Sequence, residues 1–417
     1  SWSASEYLLG RYGPEGLRAL CEVWGKEDRD AAFERALGLS LRQFESDWRD
    51  EWIEPLRTTA AGIRATLDDQ EAAVLDQEQE RFLSTITMSD PVLRSEERHR
   101  FAALTDHPIL TYSLDAEIIG WAPASSYTTV TLQATTQISG EDSALVAHDA
   151  RFLREDGEWR YAGSAWHELA SEHVILKYQG EDRAWAELIL GHSEQAYDHV
   201  TADLGAVPTL PQEIKVYGDE ETFRASIGQS LPQGTRFWTA EGTSIKLWLD
   251  RRPDDPPYAG IAQGLAHQIM LAQGVETDWV REGVAAFEID RLRPLGAHWG
   301  SAQRGHVLRE AMVQRRDLDW QELSSFDDLS EEEIEIARAQ AWSLVTTIVR
   351  EHGLSGLRRF IDEVARTYDL PSNLRAALGT DPETFLMAWG EEAAAFGAPS
   401  DLISLAQRFD VQTTMEH

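Results

Sequence analysis

The sequence predicts an α+β protein, and three observations carry that expectation. Helical-period segments give way in the first half to a run of β-branched and aromatic segments. A pair of apolar helical stretches then meets at a loop around Gly274, and matching helical patterns stand at the two ends of the chain.

Composition narrows the function before any motif is read. Of 417 residues, 72 are Asp or Glu and 38 are Lys or Arg, so the formal net charge is −34. A field of this sign repels phosphate backbones and anionic headgroups, so neither nucleic acid nor a bare membrane surface is an expected partner. Hydrophobic content of 42% and 15 Trp argue against disorder. Lysine is scarce (Lys26, Lys177, Lys215, Lys246), which suits a salty or extracellular setting and equally a biased genome composition. One cysteine, Cys21, allows no intrachain disulfide and no thiolate metal site, and reads as a small buried hydrophobe. No segment is apolar for the length a spanning helix needs, so no direct membrane insertion is expected in this stretch.

The first 58 residues repeat a pattern found again some 340 residues later. Trp2 and Ser3 match Trp342 and Ser343, Gly13 matches Gly353, and Gly16-Leu17-Arg18 matches Gly356-Leu357-Arg358. After a one-residue slip, Ala36-Leu37-Gly38 matches Ala377-Leu378-Gly379, Phe44 matches Phe385 and Trp48 matches Trp389. Each copy reads as short helices, the middle one stopped by the glycine after Ala-Leu, with Phe and Trp on one face of the last. Because the second copy closes a larger domain, residues 1–58 are expected to be the helical C-terminal remnant of an upstream relative of that domain.

Residues 59–165 begin with a charged amphipathic stretch and a short helix around Leu93 to Leu104. Four strand-like runs follow: ILTYSLDAEIIGW, YTTVTLQATTQI, ALVAHDARFLRE and EWRYAGSAW, the last two joined by Asp156-Gly157 as a tight hairpin turn. Helices followed by a curved antiparallel sheet, closing on DGEWRYAG, resemble the NTF2-like superfamily. That resemblance implies a cone-shaped cavity, but no polar constellation marks a ligand there, and a spacer role is the plainer expectation. At the junction stands HELASEH. Its two histidines, His167 and His173, are spaced i, i+6 and do not share a helical face, so a solvated connector is expected rather than a metal site.

The informative stretch is GIAQGLAHQIMLAQGVETDWVREGVAAFEIDRL. It reads as two helices joined at Gly274 to Thr277, the second carrying Trp279, Glu282, Gly283, Ala286 and Phe287. Together with HVILKYQG, AYDHVTADLG, IKVY, SIKLWL and the helical tail, it resembles the gluzincin metallopeptidases, in particular the bacterial peptidase MA-like domains, over residues 166–395. The resemblance implies a zincin-like domain with a mixed sheet and a helical C-terminal subdomain, and makes residues 396–417 a tail. In that family one helix carries HExxH and a second carries W-x-x-E-G-x-A-x-[FY]. Two His at i and i+4 and the second-helix Glu hold zinc, while the Glu after the first His activates the bound water.

On this sequence the first ligand carries over as His267 and the third as Glu282. Gln268 stands at the general-base position and Leu271 at the lost ligand position. An amide accepts no proton at neutral pH, a loss on the order of 100-fold to 10,000-fold in rate, and two ligands hold zinc poorly. The Tyr that many members carry before the tail helix is absent, with Arg338 in its place, and the remaining histidines show no metal-ligand spacing.

His267 alone on an apolar face reads as a core histidine. Beside the second-helix motif it reads as a relict ligand hydrogen-bonded to Glu282. Gly283 is expected to let the second helix approach the first, Trp279 and Phe287 to be core, and the acidic run at 327–340 to start a helix. The expectation is therefore an inactive metallopeptidase homologue with no resident cofactor, serving as a structural or peptide- or protein-binding module outside the cell or in the envelope. Two alternatives stay open. One is a zinc hydrolase that recruits His298, His306 or a nearby carboxylate; the other is an active peptidase in an upstream domain with this chain as its regulator.

Overall fold

The computed structural model describes residues 2–123, 125–139, 143–180, 182–208, 211–228, 235–249, 258–292, 299–367 and 369–395. The sequence-predicted tail at 396–417 and His298 lie outside them. The chain divides into two compact units, Ser1–Ala165 and Trp166–His417.

The first unit starts with α1 (Trp2–Val23), α2 (Arg29–Leu37) and α3 (Leu41–Trp48). Gly13 breaks α1 with φ 70° and ψ 180°, a conformation only glycine adopts readily, and Gly38 stops α2 in the left-handed region. Tyr7, Leu20, Phe33 and Phe44 form the small core of these helices. One turn of π-helix (Arg49–Ile53) runs on into α4 (Glu54–Leu75), so the sequence-predicted division at 58/59 falls inside a continuous helix.

Next come α5 (Gln79–Ser84), α6 (Pro91–Thr105) and four strands, β1 (Ile109–Gly120), β2 (Tyr127–Ile138), β3 (Ala144–Glu155) and β4 (Glu158–Ser164). The strands pair in sequence order and antiparallel, and Val130 opposite Ala150 and Leu132 opposite Ala116 fix the apolar face. Asp156 and Gly157, both at positive φ, make the two-residue β3–β4 turn. The helices cover that face with Leu67, Val74, Phe82 and Phe101.

The second unit holds a mixed five-stranded sheet in the order β5 (His167–Ala170), β6 (Val174–Tyr178), β7 (Gln212–Tyr217), β9 (Ile245–Trp248), β8 (Phe237–Trp238). The three central strands are parallel and the outer two antiparallel to their neighbours. Between β6 and β7 runs α7 (Arg183–Leu204), and the short α8 (Glu220–Ala225) follows β7. Three of the four lysines serve this sheet: Lys177 and Lys215 pair with Glu213, and Lys246 donates to the Ser226 carbonyl, Lys215 and Lys246 almost fully buried.

Helix α9 (Tyr258–Ala272) lies close on β9 because two glycines face the strand. A Cβ on Gly264 would stand 2.5 Å from Ile245, and one on Gly260 would stand 3.0 Å from Leu247. The chain continues through α10 (Asp278–Leu292), α11 (Trp299–Gln314), α12 (Trp320–Ser324), α13 (Glu331–Val364), α14 (Leu370–Leu378) and α15 (Pro382–Ala395). Glu333 and Ser330 cap α13 reciprocally, so the acidic run does begin a helix. Gly283 packs α10 against α13 rather than against α9: a Cβ there would lie 2.5 Å from the Ala341 carbonyl oxygen. The expected partner of that close approach was therefore the wrong helix.

Candidate functional site

The close seating of α9 on β9 sets where its last two turns face. His267 is 8% exposed, with the Phe237 ring of β8 edge-on at 5.7 Å. From α10, Glu282 reaches the same point, its Oε1 3.6 Å from His267 Nε2. The two residues that the motif singled out are thus brought together, but the expected hydrogen bond is not made. The spacing is too long, and His267 Nε2 has no hydrogen-bond partner. Burial holds the imidazole below its ordinary pKa; Glu282 opposes that shift, and the cations Arg281 and Arg338 reinforce it. His267 is therefore a neutral ring at neutral pH.

The other oxygen of Glu282 is taken. Arg338 Nε on α13 lies 3.3 Å from Oε2, placing a guanidinium at the position the resemblance gave to a tyrosine. Arg281 leans back to Asp278, whose second oxygen accepts from the Phe326 backbone N–H at 2.8 Å. The Glu282 carboxylate is thus already neutralised by protein.

Gln268 explains itself once its partners are seen. Its amide nitrogen donates to the carbonyl oxygens of Ala240 at 2.8 Å and Thr243 at 2.9 Å, and also meets the Thr239 hydroxyl. Carbonyl oxygens accept only, so this side chain must present a donor; a carboxylate would face them as a like charge. The amide ties α9 to the turn between β8 and β9. Leu271, one turn after His267, is half-buried and offers no ligand atom.

Whether zinc fits can be judged on these groups. The orphaned His267 nitrogen and Glu282 retain two ligand positions of three. Against that stand the leucine, the guanidinium on Glu282 and an amide turned to carbonyls where a base would be needed. The donor set does not fit a catalytic zinc. Among the described residues no further His, Cys, Asp or Glu joins His267 and Glu282. His306 is mostly exposed beside Glu310, and His298 lies outside the described residues.

Trp279 and Phe287 are core, Trp279 between the rings of Trp320 and Phe360 at 5.7 Å each. The HELASEH stretch is not a plain connector. His167 begins strand β5, while His173 Nδ1 bonds Glu194 at 2.8 Å and stacks on Tyr197 at 4.3 Å. The sequence reading also missed Thr239, Ala240 and Thr243, which no motif ties to α9. It overlooked a legible i, i+4 pair as well: His199 and Asp203 on α7 meet Glu288 of α10, so ligand spacing does occur elsewhere.

Compared with known proteins, the chain matches no protein-family model and no curated protein. Among solved structures it is similar to an M1 zinc metallopeptidase mutant from Deinococcus radiodurans. Identity is 13%, the TM-score 0.37, and the match covers 67% of this chain and 61% of that one. This chain therefore spans about three fifths of the length of that structure.

Proposed function

We propose that residues 166–395 are a zincin-like module of the gluzincin type that has lost catalysis and binds an extended peptide or protein segment without cleaving it. The observation that carries the reading is Gln268, whose amide is committed to the Ala240 and Thr243 carbonyls where a peptidase needs a free carboxylate. Arg338 on Glu282 supports it, since a cation there competes with a metal for the same oxygens. The sheet ends at β8, beside His267, and an outer strand is a template for an added extended chain.

Residues 1–58 belong to the same proposal as the helical part of a second such domain. Gly13 (φ 70°, ψ 180°) and Gly353 (φ 68°, ψ 180°) share one unusual backbone geometry, which supports the kinship. The NTF2-like reading of residues 59–165 rests on strand order and helix placement. The compartment we infer, extracellular or envelope, rests on the charge of −34.

Hydrogen exchange of the full chain with and without an unstructured casein tests the binding reading. Slowed exchange is expected across 235–249 and α9, with the casein intact by mass. Unchanged exchange in those segments at saturating casein would contradict it.

A further inference from the structure

The strongest unexplained chemistry lies away from His267. His199 and Asp203 stand one turn apart on α7, so their side chains share a face, and Glu288 meets them from α10. Nε2 of His199 is 3.4 Å from Asp203 Oδ2 and 3.3 Å from Glu288 Oε2. Glu288 is fully buried, neither of its oxygens accepts a hydrogen bond of good geometry, and His199 Nε2 is without one as well. His199 Nε2 and the two Glu288 oxygens, left without hydrogen bonds beside Asp203, ask for a partner.

Arg291 supplies only part of it. Its Nε is 2.7 Å from Asp203 Oδ2 and its Nη2 3.3 Å from Oδ1, so it serves the aspartate. Two carboxylates share one guanidinium beside the partly exposed His199 ring, so ionising both leaves one negative charge to be compensated.

The two spacings from His199 suit a tetrahedral metal ion. Tetrahedron edges of 3.3 and 3.4 Å put the centre about 2.0–2.1 Å from each vertex, the bond length of zinc to imidazole nitrogen and carboxylate oxygen. His199 is partly exposed, which leaves an entry path and a fourth position for water.

We propose that His199, Asp203 and Glu288 bind one divalent transition-metal ion of the zinc class, in a site separate from His267 that ties α7 to α10. One imidazole with two carboxylates suits zinc better than magnesium or calcium, which prefer oxygen alone. There the ion supplies the charge the buried carboxylates need.

Zinc titration of the full chain, stripped with EDTA and followed by calorimetry and thermal melting, tests the proposal. One equivalent is expected, with a rise in Tm. Glu288→Gln, which keeps the shape and removes the charge, and His199→Ala should each weaken binding by more than about tenfold and abolish the rise. His267→Ala should change neither. Absence of binding at micromolar zinc overturns the proposal and leaves the pseudo-peptidase reading standing. Binding lost in His267→Ala but kept in Glu288→Gln overturns both. Binding that survives all three substitutions overturns the proposal alone.

Discussion

Putting a carboxylate at position 268 would set its oxygens 2.8–2.9 Å from two backbone carbonyl oxygens that now receive N–H groups. Gln268→Glu therefore should not rebuild a general base. It leaves the Ala240 and Thr243 carbonyls unpaired beside a like charge, and should destabilise the fold by about 1–3 kcal/mol with no gain of peptidase activity. Denaturant melts of the variant and the parent check this; equal midpoints would mean the amide has no structural duty. What the sequence showed at this scale was identity without reason. The motif placed His267, Gln268, Leu271 and Glu282, and the structure gathers His267 and Glu282. The partners of Gln268 lie 25–29 residues away in a turn with no motif, and Arg338 reaches Glu282 across 56 residues. Such contacts are products of tertiary packing, so no local spacing could reveal them.

At the scale of elements, glycine was the most legible signal. Gly13 and Gly353 both stand at φ near 70° with ψ 180°, a region that excludes side chains, and Gly38 and Gly379 both close helices in the left-handed region. These glycines could be read from the sequence because such backbone needs are local. The target of Gly283 could not, since α10 touches both α9 and α13 and periodicity does not say which neighbour is nearer.

The β5–β6 corner carries a pH dependence of its own. The hydrogen bond from Glu194 is the largest cause raising the His173 pKa, while Ser171, the His173 backbone and the His173 ring lower that of Glu194 against its burial. A raised histidine contributes stability that is complete below its unfolded value of 6.5 and is lost as pH rises through the folded value. A lowered carboxylate contributes stability that is complete above its unfolded value of 4.5 and is lost as pH falls through its folded value. The pair is thus strongest between those two limits. His173→Ala should flatten the loss of stability on the alkaline side of 6.5 relative to the parent, as read by urea midpoints across pH; parallel curves would exclude the pair as its source.

For the whole molecule, the α+β class followed from the order of helical and strand periods, and the hairpin at Asp156-Gly157 fell where turn chemistry put it. The division of the chain into Ser1–Ala165 and Trp166–His417 was harder to read near residue 58, where a helix runs on and no linker composition marks a break. Among the described residues no helix is long and apolar enough to cross a membrane. The abundance of carboxylate made a metal site easy to imagine anywhere. The packing of α7, α9 and α10 separates two cases: Glu282 answered by Arg338, and Glu288 answered by too little positive charge.

The central claim, that the His267 site has lost its chemistry, is tested most directly by incubating the full chain with casein and added zinc and following new peptide termini by mass spectrometry, alongside His267→Ala. The account predicts no cleavage above the buffer rate in either protein. Zinc-dependent cleavage by the parent that disappears in His267→Ala would contradict it.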